Sequence, residues 1–212
     1  MDRSSNRNSS SSGTPNRADK EEELLKRVCR GDRDAFVELA EPYRDRLYAT
    51  VFRLLGNRED AAEICQEAML RTFWKITGFR GKASFYTWLT QIALNLCYRR
   101  LETNRREVST GSGENEQSER ADAGAGILDQ AADPAASPRD QAIIKERTAL
   151  VRRAFSLLSP DDFEILVLRE FEDLSYDELS LRLGIPEGTV MSRLHRARTA
   201  LAAHLRKLGI AQ

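Results

Sequence analysis

Apolar residues recur along most of the chain at the three- and four-residue spacing of helices that bury one face. This pattern covers residues 20–101 and 141–208, and neither stretch shows the period-two alternation of strands. Residues 1–19 are rich in Ser and Asn and predict a disordered tail. Residues 102–140 are acidic, rich in Gly, Ala and Ser, and free of aromatic residues, which predicts a flexible linker. We therefore expect an all-α protein with two small helical domains, 20–101 and 141–212, joined by a tether.

Helix boundaries are clearest in the second domain. Ser159 precedes Pro160 and two aspartates, a combination that favours a helix start. Ser175 stands three residues before Glu178, as in a capping box, and Gly184 provides a left-handed end for that helix. A short helix, a turn containing glycine and a further helix form the pattern of a helix-turn-helix.

The last predicted helix has an apolar stripe and a basic surface. The stripe contains Val190, Leu194, Ala197, Leu201, Leu205 and Leu208. No Asp or Glu occurs from Thr189 to the end of the chain. Such a surface suits a DNA major groove, although a three-helix bundle with a solvated basic face would show the same pattern. The candidate DNA-contacting residues are Met191, Ser192, Arg193, His195, Arg196 and Arg198.

A second acid-free stretch, residues 68–101, interleaves cations with aromatic rings. This combination favours single-stranded nucleic acid, because cations follow phosphates and rings stack on unpaired bases. Phe85 belongs to an apolar stripe and is assigned to the core, whereas Trp88 lies at the border of that stripe and suits either role. The candidate contacts are Phe79, Arg80, Lys82, Tyr86, Thr87, Trp88, Gln91 and Asn95.

The preceding helix, which Asn57 can cap, carries the opposite charge. An acidic face would repel phosphate, so it indicates either protein docking or a merely solvated surface. The candidate docking residues are Asp60, Glu63, Gln66 and Glu67.

Composition narrows the alternatives. The chain has 33 basic and 33 acidic residues, so its net charge indicates no class of partner. Its three cysteines are widely spaced and its two histidines are distant from them, which predicts small buried or half-buried thiols, no metal site and no cofactor. No apolar run is long enough for a transmembrane helix and no secretory signal is apparent, so we expect a cytoplasmic protein without membrane insertion.

Three stretches together resemble the extracytoplasmic-function (ECF) sigma factors of the sigma-70 family. They are DAAEICQEA at 60–68, FRGKASFYTWL at 79–89, and the segment from LSYDEL at 174–179 to EGTVMSRLHRAR at 187–198. The order of these motifs and the linker between them make the match specific, and it covers roughly residues 22–101 and 141–208.

The resemblance implies a role for each set of candidate residues. The acidic helix would bind the β′ clamp helices of core RNA polymerase, and the second domain would meet the β flap. The loop and helix from Phe79 to Tyr98 would melt and read the −10 promoter element. The −35 element would be met by Met191, Ser192, Arg193, His195 and Arg196, with Arg198 nearby. Family membership is also compatible with an anti-sigma factor as a partner.

Two other classes of protein remain as alternatives. A conventional duplex-binding regulator would use only the helix-turn-helix, and it would not require core polymerase to bind or open DNA. An enzyme acting on an extruded base would need a catalytic constellation. The sequence shows no zinc-ligand spacing, acid pair or nucleophile elbow, so we expect no enzymatic activity.

Overall fold

The computed structural model describes residues 17–81, 83–109 and 137–210. The chain falls into two compact units, Met1–Pro42 and Tyr43–Gln212. Helices α1 (Arg17–Cys29) and α2 (Arg33–Ala40) form the first unit and pack against each other. Asp32 caps α2 by accepting a 3.0 Å hydrogen bond from the Ala35 backbone N–H.

The second unit contains seven α-helices among its described residues, and short 3₁₀ turns cover Glu41–Tyr43 and Ile76–Gly78. The prediction of an all-α chain is confirmed, since no strand occurs in the described ranges. The helices are α3 (Arg44–Leu55), α4 (Arg58–Lys75), α5 (Phe85–Ser109), α6 (Pro138–Phe155), α7 (Pro160–Glu170), α8 (Tyr176–Leu183) and α9 (Glu187–Lys207).

Helices extend into both ends of the segment expected to be a linker. Helix α5 continues to Ser109. An i,i+4 ion pair of 2.6 Å between Glu102 and Arg106 supports the added turns. Helix α6 begins at Pro138, after Ser137 accepts a hydrogen bond from the Asp140 backbone N–H. Residues 1–16, most of the predicted tail, and 110–136, the middle of the predicted linker, lie outside the described residues.

Helices α3, α4 and α5 share one apolar core. Phe85 is fully buried there, as its stripe predicted. Asn57 caps α4 by accepting hydrogen bonds from the backbone N–H groups of Glu59 and Asp60, which confirms the predicted helix start. The other core residues include Leu47, Val51, Leu54, Ala61, Ile64, Ala68, Leu89 and Ala93.

Helices α6 to α9 surround a second core, and their boundaries follow the sequence signals. Ser159 accepts from the Asp162 backbone N–H, and Ser175 and Glu178 form both hydrogen bonds of the capping box. Gly184 ends α8 with φ of 66°, a left-handed conformation that favours glycine. The apolar stripe of α9 supplies Val190, Leu194 and Ala197 to this core.

The cysteines differ in burial. Cys97 is buried and Cys65 is half-buried, as expected, but Cys29 is exposed because it lies at the last residue of α1. Burial raises the pKa of the Cys65 thiol to about 12 and also raises that of Cys97. No group of His, Cys, Asp or Glu able to hold a metal ion occurs within the described ranges.

No helix within residues 17–81, 83–109 and 137–210 combines the length and apolarity needed to cross a bilayer.

Candidate nucleic-acid and protein interfaces

Helix α9 presents its predicted DNA face to solvent. Met191 is 56% exposed, and Ser192 and His195 are also exposed. The Ser192 hydroxyl donates to the Thr189 carbonyl oxygen at 3.0 Å, which is a local bond within the helix. These three side chains therefore form an accessible patch in the first half of a basic helix.

The three arginines of this surface pair with carboxylates of α7. Arg196 Nη2 lies 2.9 Å from Asp162 Oδ1, and its Nε lies 3.3 Å from the same oxygen. Arg198 binds Glu170 at 2.7 Å. Arg193 lies 3.5 Å from Asp161 and is the least exposed of the three. Sequence periodicity placed Arg196 opposite the apolar stripe but gave no indication of these acidic neighbours.

The predicted single-strand surface begins at the loop before α5. Phe79 packs against Trp88 with ring centroids 5.3 Å apart, and Arg80 is exposed. Gly81 has φ of 66°, a left-handed conformation that favours glycine at this turn. Lys82 lies outside the described residues.

The Ser84 hydroxyl accepts from the Thr87 backbone N–H at 3.1 Å and so caps the start of α5. Thr87 and Trp88 are half-buried and Asn95 is exposed, so these residues remain accessible along the helix.

Two residues of the predicted set instead contact the helices of the second core. Tyr86 is only 7% exposed, and its hydroxyl donates to Glu172 Oε2 at 2.9 Å. Burial and the neighbouring Glu172 carboxylate raise the pKa of Tyr86. Gln91 donates from Nε2 to Glu164 Oε1 at 3.2 Å. A pattern of residues within one helix cannot reveal a partner that lies more than 70 positions along the chain.

The acidic face of α4 is partly neutralised by α5. Arg100 forms ion pairs with Asp60 and with Glu63, the latter at 2.8 Å. Glu67 pairs with Arg71 of its own helix at 2.5 Å, whereas Gln66 is exposed.

A cavity of about 510 Å³ opens between α4 and α5 beside this face. Glu63, Gln66 and Glu67 line it together with Leu70 and Arg99. Leu70 is 48% exposed, and Trp74, one turn farther along α4, is 73% exposed. Sequence reasoning missed both apolar residues, which make the surface suitable for a protein partner.

Comparison with known proteins finds a family match for each of the two groups of helices. Residues 39–107 match the family model described as Sigma-70 region 2, and residues 148–201 match that described as Sigma-70, region 4. The ECF RNA polymerase sigma factor SigW of Bacillus subtilis is 32% identical over 185 residues, which cover 87% of this chain and 96% of SigW. The chain belongs to the ECF sigma factors of the sigma-70 family.

A further ECF relative is the sigma-E factor of Escherichia coli K12, 30% identical over 178 residues that cover 84% of this chain and 90% of the relative. The solved structure of CnrH in complex with the cytosolic domain of CnrY superposes with a TM-score of 0.52 at 19% identity. That superposition covers 89% of this chain and 99% of CnrH, and it supports the fold. The sigma factor thus has region 2 in α3–α5 and region 4 in α6–α9, and it acts in transcription initiation.

Proposed function

We propose that this sigma factor docks on core RNA polymerase through α4, opens and reads the −10 element through the 79–95 segment, and reads the −35 element through α9. One observation carries the assignment. The two acid-free stretches of sequence predicted for nucleic acid lie in separate matched regions, and the acidic face lies on α4, before the 79–95 segment. We further propose 20–101 and 141–212 as the functional domains.

Helix α9 is the element suited to duplex DNA. Its exposed patch of Met191, Ser192 and His195 can approach base edges, and its arginines can pair with phosphates or guanines. An arginine that leaves a carboxylate for a phosphate exchanges one anionic hydrogen-bond acceptor for another, so its guanidinium needs little further desolvation. We infer that Arg196, which is 62% exposed, contacts bases, and that Arg193 contacts the backbone.

The segment before α5 is suited to unpaired bases. Phe79 and Trp88 provide adjacent rings, and the exposed Arg80 supplies a cation beside them. The glycine turn at Gly81 allows a nucleotide backbone to come close. Stacking on such rings contributes ~1–3 kcal/mol per base, enough to compensate for unstacking at a melted step.

The polymerase-docking role of α4 is supported by charge and by exposed apolar area. Gln66 and Glu67 stand beside Leu70 and the cavity, so hydrogen bonding and apolar burial can be combined at one contact. Asp60 and Glu63 already pair with Arg100, and we assign them the role of holding α4 against α5 as well as bordering the contact.

We also propose a β-flap contact for region 4, action in the cytoplasm as a non-enzymatic subunit, and an additional protein partner of the anti-sigma kind. CnrH was solved in complex with the cytosolic domain of CnrY, which supports the idea that this fold binds a second protein.

Run-off transcription tests the proposal. Purified core polymerase with the full chain should initiate at a cognate promoter, whereas the chain alone should neither open nor transcribe it. Gln66→Lys with Glu67→Lys should weaken core binding at unchanged helix content. Glu146→Lys, the same reversal at an exposed position of α6, is the matched control and should bind normally. Unchanged core affinity in the α4 variant would refute the docking assignment, and promoter opening without core would favour a conventional regulator.

A further inference from the structure

A buried carboxylate lies at the centre of the contacts between region 2 and region 4 of this sigma factor. Glu172 follows the end of α7, and its side chain is only 1% exposed. Thr50 of α3 donates to Oε1 at 2.6 Å, and Tyr86 of α5 donates to Oε2 at 2.9 Å. Arg46 of α3 completes the site with Nη2 at 3.0 Å from Oε2. A desolvated carboxylate is tolerated in a folded protein only with such partners, and here all three belong to region 2.

Other contacts extend this junction. The guanidinium of Arg53 stacks over the Phe171 ring at 4.3 Å, next to Glu172 in the chain. Arg152 Nε donates to the Arg53 carbonyl oxygen at 3.3 Å. Farther along α5, the Tyr98 hydroxyl donates to the Leu158 carbonyl oxygen at 3.1 Å. Together with the Gln91–Glu164 bond, these contacts hold region 4 along α5.

The junction covers part of the surface that we assign to the −10 element. Tyr86 and Gln91 cannot donate to region 4 and contact a promoter strand at the same time. Arg46, whose guanidinium lies 4.6 Å from the centre of the Tyr86 ring, occupies a face on which a base could stack.

We propose that Glu172 is an autoinhibitory clasp, which closes region 4 over the −10 surface of region 2 and must open before the sigma factor can engage a promoter. The proposal rests on the assignment of that surface under Proposed function. Opening returns the carboxylate to water, where it is well solvated, so the clasp is reversible. Substituting Glu172 should therefore favour the open chain without unfolding region 4, because its side-chain partners Arg46, Thr50 and Tyr86 lie outside that region.

The first measurement uses the full chain alone. Small-angle scattering should give a larger radius of gyration for Glu172→Lys, which places an ammonium beside Arg46, than for the wild type. Thr50→Val removes one hydrogen bond at similar volume and should shift the radius in the same direction by less. Glu146→Lys is the matched control, because it makes the same charge reversal at an exposed position of α6 that has no part in the junction contacts. Unchanged radii for both clasp variants, with wild-type helix content by circular dichroism, would show that Glu172 does not hold the two regions together and would overturn the proposal.

The second measurement tests inhibition. The chain is mixed with core polymerase and a DNA fork whose −10 segment is single-stranded, and the capture rate is recorded. Loss of hydrogen bonds to a charged group corresponds to roughly a tenfold or greater fall in the ratio of closed to open chains. Capture by Glu172→Lys should accelerate by about tenfold relative to wild type and Glu146→Lys.

If Glu172→Lys has a larger radius of gyration but captures the fork no faster than the wild type, the contact between the two regions does not inhibit promoter binding. If neither wild type nor variant captured the fork while the variant was expanded, the −10 assignment would be wrong and the inhibitory role would fall with it. The scattering result would then stand as evidence for the contact alone.

Discussion

The variant Arg196→Ala tests whether this side chain reads DNA bases or only supports the fold of region 4. In the free chain Arg196 makes two contacts with one oxygen of Asp162, at 2.9 and 3.3 Å. Its side chain is 62% exposed, so solvent screens this ion pair and its loss should cost at most ~1 kcal/mol of folding free energy. Asp162 keeps the hydrogen bond that it accepts from Ser159 at 2.8 Å, so its carboxylate is not left without a partner.

The effect on promoter binding should be larger. An arginine that binds a base edge contributes ~1–3 kcal/mol, so Arg196→Ala should lower affinity for the preferred −35 sequence by roughly 5- to 150-fold. Discrimination should relax at one base position, because only a base contact carries sequence information. Arg196→Lys should not restore that discrimination, since an ammonium cannot reproduce the two-pronged geometry of a guanidinium.

The assay is equilibrium binding of holoenzyme to a panel of single-base −35 variants at several salt concentrations. Arg193→Ala is the comparison, and it should weaken all sequences about equally and lower the salt slope by roughly one. Asp162→Asn removes the ion pair but leaves Arg196 in place, so it should retain discrimination. If Arg196→Ala weakens every variant equally, or if Asp162→Asn has the same effect as Arg196→Ala, Arg196 does not read a base and Ser192 or His195 is the better candidate.

Three further outcomes are expected. Arg80→Ala should slow open-complex formation on duplex promoters more than on a pre-melted bubble, and equal loss on both templates would show that the residue has no part in melting. Ser175→Ala removes the cap of α8, and differential scanning calorimetry should show destabilisation of ~1 kcal/mol, or about 4–8 °C in the transition of a domain this small. Alkylation at pH 8 should modify Cys29 first, because Cys29 is exposed and burial keeps Cys65 and Cys97 in the thiol form. Rapid modification of all three cysteines in the folded chain would contradict this order of reactivity.

Local signals in the sequence predicted most of the helices and their caps. Ser159, Ser175 and Gly184 mark boundaries through bonds made within a few residues, so their roles can be read from spacing alone. The stripe of α9 likewise predicted the burial of Val190 and Leu194. Such features depend on helix geometry, which is the same in every protein.

Contacts between distant segments could not be predicted in this way. Tyr86 and Gln91 were expected on an open nucleic-acid surface, yet both bond to acids of region 4. The polar groups that would bind bases are also good partners for carboxylates, and composition does not distinguish these uses.

The acidic residues of α7 form ion pairs with the arginines of α9, and these pairs affect how α9 could bind DNA. An arginine surface without acidic neighbours would bind any duplex through its phosphates, whereas here Arg193, Arg196 and Arg198 are already paired with carboxylates, which the proposed DNA contacts would have to replace. The exchange reduces the electrostatic gain at every site equally, but a base contact that fits restores it at the correct sequence only. The same pairing holds the guanidiniums near the groove-facing side, which reduces the entropy lost on binding. Under the proposed assignment, acid–arginine pairing lowers the affinity of α9 for any duplex, so promoter binding depends on base contacts and on the additional contacts that polymerase supplies.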